Sequence, residues 1–137
     1  MTTVPTSTDA VQDLVTEYLR KYHRAEDAHK RARKNLADAT QRLGTPLGEL
    51  ALMVNEIAFA EGRLAAAELA QRVASLVADP DGNVNAQTTW EVNQGVLRAV
   101  YGMLAQGADD AWSGRTNDVQ RARHDGFRDF ASSIDWT

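Results

Sequence analysis

Apolar residues recur at steps of three and four between Asp9 and Leu43: Val11, Leu14, Tyr18, Tyr22, Ala25, Ala28, Ala32, Leu36, Ala39 and Leu43. This is the period of an α-helix with one buried face, and the stripe thins to alanine in its middle. At 1.5 Å per residue such a helix is about 50 Å long and needs a partner along its length. The Ser7-Thr8-Asp9 cluster supplies side chains able to cap its first turn, and Gly44 suits the left-handed residue that follows a helix end. Thr45-Pro46 then reads as the N-cap and first residue of a second helix. Two long helices joined by so short a link run antiparallel.

The second helix is rich in alanine, a strong helix former, and carries two apolar lines. Leu50, Val54, Ile57 and Leu64 form one; Ala51, Ala58, Ala65, Leu69, Val73 and Leu76 form the other. Two lines imply two neighbours. Ala58, Gly62 and Ala66, spaced by four, permit close backbone approach, and the alanine-thin centre of the first helix is the expected partner. A mid-helix glycine costs about 1 kcal/mol relative to alanine, so Gly62 needs a packing reason.

Asp79-Pro80-Asp81-Gly82-Asn83 breaks the pattern. Thr88-Thr89-Trp90-Glu91 fits a capping box that opens a third helix, with Trp90, Leu97, Val100, Tyr101 and Leu104 as its heavy face and Gly107 as its end. A short helical turn is expected over 108–112, and a fourth helix carries Val119, Ala122, Phe127, Phe130 and Ile134. No strand pattern competes. The prediction is an all-α protein of helical-bundle type: a long antiparallel helical hairpin (9–43 and 46–77) with two shorter C-terminal helices (88–106 and 116–134) near one end. The 137 residues suit a single helical domain, 1–137, with 1–8 as an N-terminal arm and 131–137 as a tail.

Composition narrows the chemistry. Cysteine is absent, which removes disulfides, thiolate zinc sites and cysteine nucleophiles. No signal peptide is visible and no apolar run approaches about 18 residues. The expected location is therefore the cytoplasm, or a particle assembled there, without membrane partners. The net charge of −4 is unevenly spread: Arg20, Lys21, Arg24, Lys30, Arg31, Arg33 and Lys34 crowd one segment against only Glu26 and Asp27. On a helical wheel Arg20, Arg24, Arg31 and Lys34 share the face opposite the apolar stripe, with Lys30 to one side. That face is a candidate site for an anionic partner, nucleic acid included; otherwise it is the solvated back of an amphipathic helix. Glu17, Asp27 and Asp38 dilute it, and no aromatic residue is interleaved.

Other candidates are weaker. His29 falls on the apolar stripe without an H-x-x-x-H or E-x-x-H spacing, so a helix or oligomer contact suits it better than metal ligation. Glu61 and Glu68 lie along an apolar line as in di-iron bundles, but the Glu-x-x-His motifs such sites require are missing. Ion pairing, Glu68 with Arg72 one turn on, explains them better. Asp79, Asp81, Asn83 and Asn85 have a calcium-loop register, yet Val84 and Trp90 stand where an EF-hand needs glycine and glutamate. No nucleophile elbow or phosphate loop occurs, so no catalytic, cofactor or metal residue is assigned and no enzyme is expected.

Trp112-Ser113-Gly114 resembles the W-x-G tripeptide of the small helical-hairpin proteins exported by type VII secretion. In that family the tripeptide separates two long helices and a C-terminal Y-x-x-x-D/E signal follows. Here two long helices precede it and no such signal appears, so membership is not assigned. Trp112 and the near-terminal Trp136 are interface candidates, tryptophan being a preferred anchor. Trp136 docks either on a neighbouring subunit or back on its own bundle. The function expected from all this is a non-enzymatic structural or assembly protein working through helical protein interfaces, self or other, such as a subunit of a phage virion. The alternative is a nucleic-acid-binding or regulatory helical protein using the basic face.

Overall fold

A computed structural model describes residues 7–42, 44–78, 88–111 and 118–134. Four helices account for nearly all of them: α1 (Ser7–Gln41), α2 (Leu47–Ala78), α3 (Thr89–Ala111) and α4 (Asp118–Ser132). The expected all-α hairpin with two shorter C-terminal helices is the observed architecture. α1 begins inside the segment expected as a free arm, and Leu43 and the Asp79-Pro80-Asp81-Gly82-Asn83 break lie outside the described residues. Gly107 does not end α3; the helix continues through it to Ala111.

The hairpin turn departs from the expected capping in one detail. Gly44 takes the left-handed conformation with φ 89°, as a residue after a helix end does. The Thr45 hydroxyl, however, donates back to the carbonyls of Ala39 (3.0 Å) and Arg42 (3.3 Å). It therefore caps carbonyls at the end of α1, that of Ala39 also accepting from Arg42 N–H, rather than donors at the start of α2. The Pro46 carbonyl begins the α2 ladder by accepting from Glu49 and Leu50 N–H. At α3, Thr88 caps as expected: its hydroxyl accepts from Glu91 N–H at 3.2 Å.

α2 is the axle of the molecule. It packs against α1, α3 and α4, whereas α1 and α4 do not pack on each other among the described residues. α2 thus has three neighbours where its two apolar lines implied two. Every buried α2 position is alanine or glycine: Ala58, Ala60, Gly62, Ala66, Ala67, Ala70, Ala74 and Ala78. Small side chains let three helices approach the lower end of the usual 8–10 Å interaxial range. The neighbours supply the bulk of the core: Val11 and Tyr18 from α1, Val92, Val96, Leu97 and Val100 from α3, and Phe130 from α4 with Ile134 just beyond it.

The closest approach is between α2 and α4. A Cβ at Gly62 would sit 2.8 Å from both the Arg123 carbonyl carbon and the Phe127 amide nitrogen, and a Cβ at Gly126 would meet the Phe59 backbone. Gly62 thus has the packing reason expected of it, but its partner is α4, not the alanine-thin centre of α1. Arg63 and Asp129 form an ion pair across the same crossing.

α3 buries Leu97 and Val100 as expected and packs Tyr101 on the core, together with Val92, Asn93 and Val96, but Trp90 is 57% exposed. Compact β-branched valines fit against the alanines of α2, where an indole would not. Asn93 is the buried polar residue of this face, and its Oδ1 accepts the Tyr18 hydroxyl at 2.6 Å. Tyr18→Phe removes that donor and leaves the buried carbonyl unsatisfied. The expected loss is about 1–3 kcal/mol, read as a lower urea midpoint with an unchanged slope.

Candidate interaction surface

The two ends of the hairpin differ in what covers them. α3 and α4 close the end away from the connecting turn, through contacts such as Tyr18–Asn93, Gly95 on Val77 and Gly62 on α4. Toward the turn, among the described residues from 26 to 57, only Ala39 is buried. This distal arm is two helices thick. Its α2 half, residues 47–57, is largely apolar; only Gly48, Glu49, Asn55 and Glu56 interrupt it. Leu47 (83%), Leu52 (64%) and Val54 are exposed there, and Phe59, beside the α4 crossing, is exposed by about a third (36%). A helix apolar on nearly all sides normally sits in a core, and here that surface faces outward.

A shallow groove of about 470 Å³ runs along the α1–α2 seam of the arm, lined by His29, Arg33, Leu36, Ala37, Thr40, Ile57 and Glu61. His29 Nε2 is buried without a hydrogen bond. Its nearest anionic atom is Glu61 Oε1 at 3.6 Å, beyond hydrogen-bonding reach. The other Glu61 oxygen accepts from Arg123 of α4 at 2.7 Å. Glu61 therefore joins α1, α2 and α4 where the arm leaves the bundle. His29 is in the seam, as its place on the stripe implied, but it meets a carboxylate as well as apolar neighbours.

The basic face is present as a surface. Arg20, Arg24, Lys30, Arg31 and Lys34 are all exposed. Arg20 lies 3.4 Å from Glu17 and Lys30 lies 3.6 Å from Glu26, both half-exposed pairs of little energetic worth. Arg24, Arg31, Arg33 and Lys34 have no ion pair or side-chain hydrogen bond among the described residues. Nearby, Tyr22 donates its hydroxyl to Glu26 at 3.2 Å. This bond, with the Glu26 charge, raises the phenol above the ordinary tyrosine range. Whatever stability the contact contributes is complete at neutral pH and is lost only as pH climbs through that raised value.

Glu68 pairs with Arg72 at 2.5 Å, as expected. Among the described residues no three His, Asp or Glu side chains are grouped to hold a metal ion, and no helix is long and apolar enough to cross a membrane. Trp112, the W-x-G tripeptide, Trp136 and the calcium-like register lie outside the described residues. Of the tail, Ile134 is buried in the chain's own core.

Sequence reasoning missed Gly126 and Asn93. The signal for Gly126 was available: it is a mid-helix glycine, the same anomaly that marked Gly62. For Asn93 the clue was a polar residue set among Val92, Val96 and Val100. Comparison with protein-family models, with characterised proteins and with solved structures finds no match.

Proposed function

We propose that this chain is a non-enzymatic structural or assembly protein whose distal arm is its protein-binding surface. The observation that carries the reading is the uncovered α2 segment, with Leu47, Leu52, Val54 and Phe59 exposed on a helix of core-like composition. Leu52 and Phe59 share one face of α2 and Leu47 and Val54 another; exposed apolar surface of this extent on a folded chain marks an interaction site. A subunit of a large particle, such as a phage virion, is a setting in which such an arm is buried by neighbours. The test is the mass of the complexes the chain forms, alone and with co-purifying proteins. Leu52→Glu combined with Val54→Glu is expected to abolish those complexes while leaving helicity intact and stability within roughly 0.5 kcal/mol, as for surface changes in general. A strict monomer without any partner contradicts the reading.

A second reading rests on Arg24, Arg31 and Lys34, aligned and unpaired among the described residues: a polyanion such as nucleic acid lies along the back of α1. Affinity for DNA or RNA should then fall steeply with salt, by a log–log slope of about −0.9 per duplex phosphate contacted. Arg24→Glu with Arg31→Glu should remove it. Binding that is indifferent to salt or to those changes rules the ridge out.

A further inference from the structure

We infer that the partner covering the distal arm is the arm of a second copy of this chain, in a symmetric dimer. The inference rests on the assembly reading above and names its partner. Three observations point to a second copy.

The first is geometry. At the other end of the hairpin, α3 and α4 complete a four-helix arrangement around α2, whereas the arm has two helices and an open apolar surface. Two arms laid together supply four helices, the packing the same chain already uses.

The second is charge. In the arm, α1 residues 28–42 carry Lys30, Arg31, Arg33, Lys34 and Arg42 against only Asp38. The α2 residues 47–60 carry Glu49 and Glu56 and no basic residue. One edge of the arm is thus positive and the other negative. A foreign acidic or basic helix satisfies one edge only. A second copy satisfies both, because a symmetric contact sets each α1 edge against the other copy's α2 edge.

The third is the groove. Its lining includes Leu36, Ala37 and Ile57, and Arg33, which also lines it, has no partner among the described residues. Glu49 and Glu56 are exposed on the same arm, and as the negative edge of a second copy they are the anions available to answer Arg33 and Lys34.

Charge reversal tests this directly. The Glu49→Lys/Glu56→Lys variant and the Arg33→Glu/Lys34→Glu variant are each prepared as full-length chain, with helicity and melting temperature as controls for folding. Sedimentation equilibrium should show a dimer for the unaltered chain. Each variant alone should dimerise roughly tenfold or more weakly, since Glu49→Lys/Glu56→Lys makes both edges positive and Arg33→Glu/Lys34→Glu neutralises the α1 edge and sets two carboxylates against Glu49 and Glu56 of the other copy. An equimolar mixture of the two should dimerise nearly as well as the unaltered chain, because opposite edges meet again. A single cysteine at Leu52 in this cysteine-free chain should cross-link to its counterpart only under the conditions that give dimer. The inference is overturned by an unaltered chain that stays monomeric at high concentration, by reversal without effect, or by a mixture that does not recover. A monomeric chain that still loses a different partner on Leu52→Glu/Val54→Glu overturns the dimer and leaves the assembly reading standing.

Discussion

Gly62→Ala is expected to destabilise the fold by about 2–3 kcal/mol, the upper part of the range for overpacked cores. The sign is informative because the ordinary effect of this substitution in a helix interior is a gain of about 1 kcal/mol. The loss must exceed that gain, and it does so because the added methyl meets backbone atoms. The Arg123 carbonyl group and the Phe127 amide of α4 stand in its way, and a helix backbone cannot rotate aside as a side chain can. Gly102 is the control. It lies in α3, and a methyl added there would find no neighbouring atom within 4 Å, so Gly102→Ala should stabilise by roughly 0.5–1 kcal/mol. Melting temperatures of the two variants should move in opposite directions, by roughly 3–5 °C per kcal/mol for a chain of this size. A stabilised Gly62→Ala protein would mean that α2 and α4 do not cross here.

The second large effect is expected at Ala70. It is fully buried on the axle helix, within the same core as Val92, Val96, Val100 and Phe130. Ala70→Leu inserts three heavy atoms into a space already filled by its neighbours, at a cost of about 1–3 kcal/mol. Leucine and alanine are both good helix formers, so propensity hardly contributes. Ala65→Leu makes the same chemical change at an exposed position of the same helix and should stay within roughly 0.5 kcal/mol of the unaltered chain. Equal losses at the two sites, read from urea midpoints, would show that α2 does not present its alanines inward in this way.

These effects mark where the sequence was legible. Helix periodicity, Gly44, Pro46 and the Thr88 cap placed the elements, because each is a local signal that acts within a turn of its own position. Which helix meets which small face is not local. Gly62 announced a close approach, yet its partner could equally have been α1, since only the folded crossing with Gly126 decides. Trp90 misled for a related reason: hydrophobic size suggested the core, but a core floored by alanine accepts Val92 and Val96 in its place, beside the expected Leu97 and Val100. Glu61 was correctly read as an ion-pairing residue, although its partner Arg123 comes from another helix and left no trace in spacing. The basic ridge was plain from the wheel. The uncovered arm was not, because exposure of residues 47–57 depends on where α3 and α4 stop.

The exposed arm is also what ties architecture to role. An alanine-lined axle brings three helices together at one end, and the same α2 helix continues past them with Leu47, Leu52 and Val54 open to solvent. The central claim is that this continuation is covered when the protein assembles. Amide hydrogen exchange over residues 47–59 measures it most directly, comparing the full-length chain when dispersed and when assembled. Exchange there should slow by roughly tenfold or more on assembly, while the already buried 66–78 segment changes little. Equal exchange of 47–59 in both states would contradict the account.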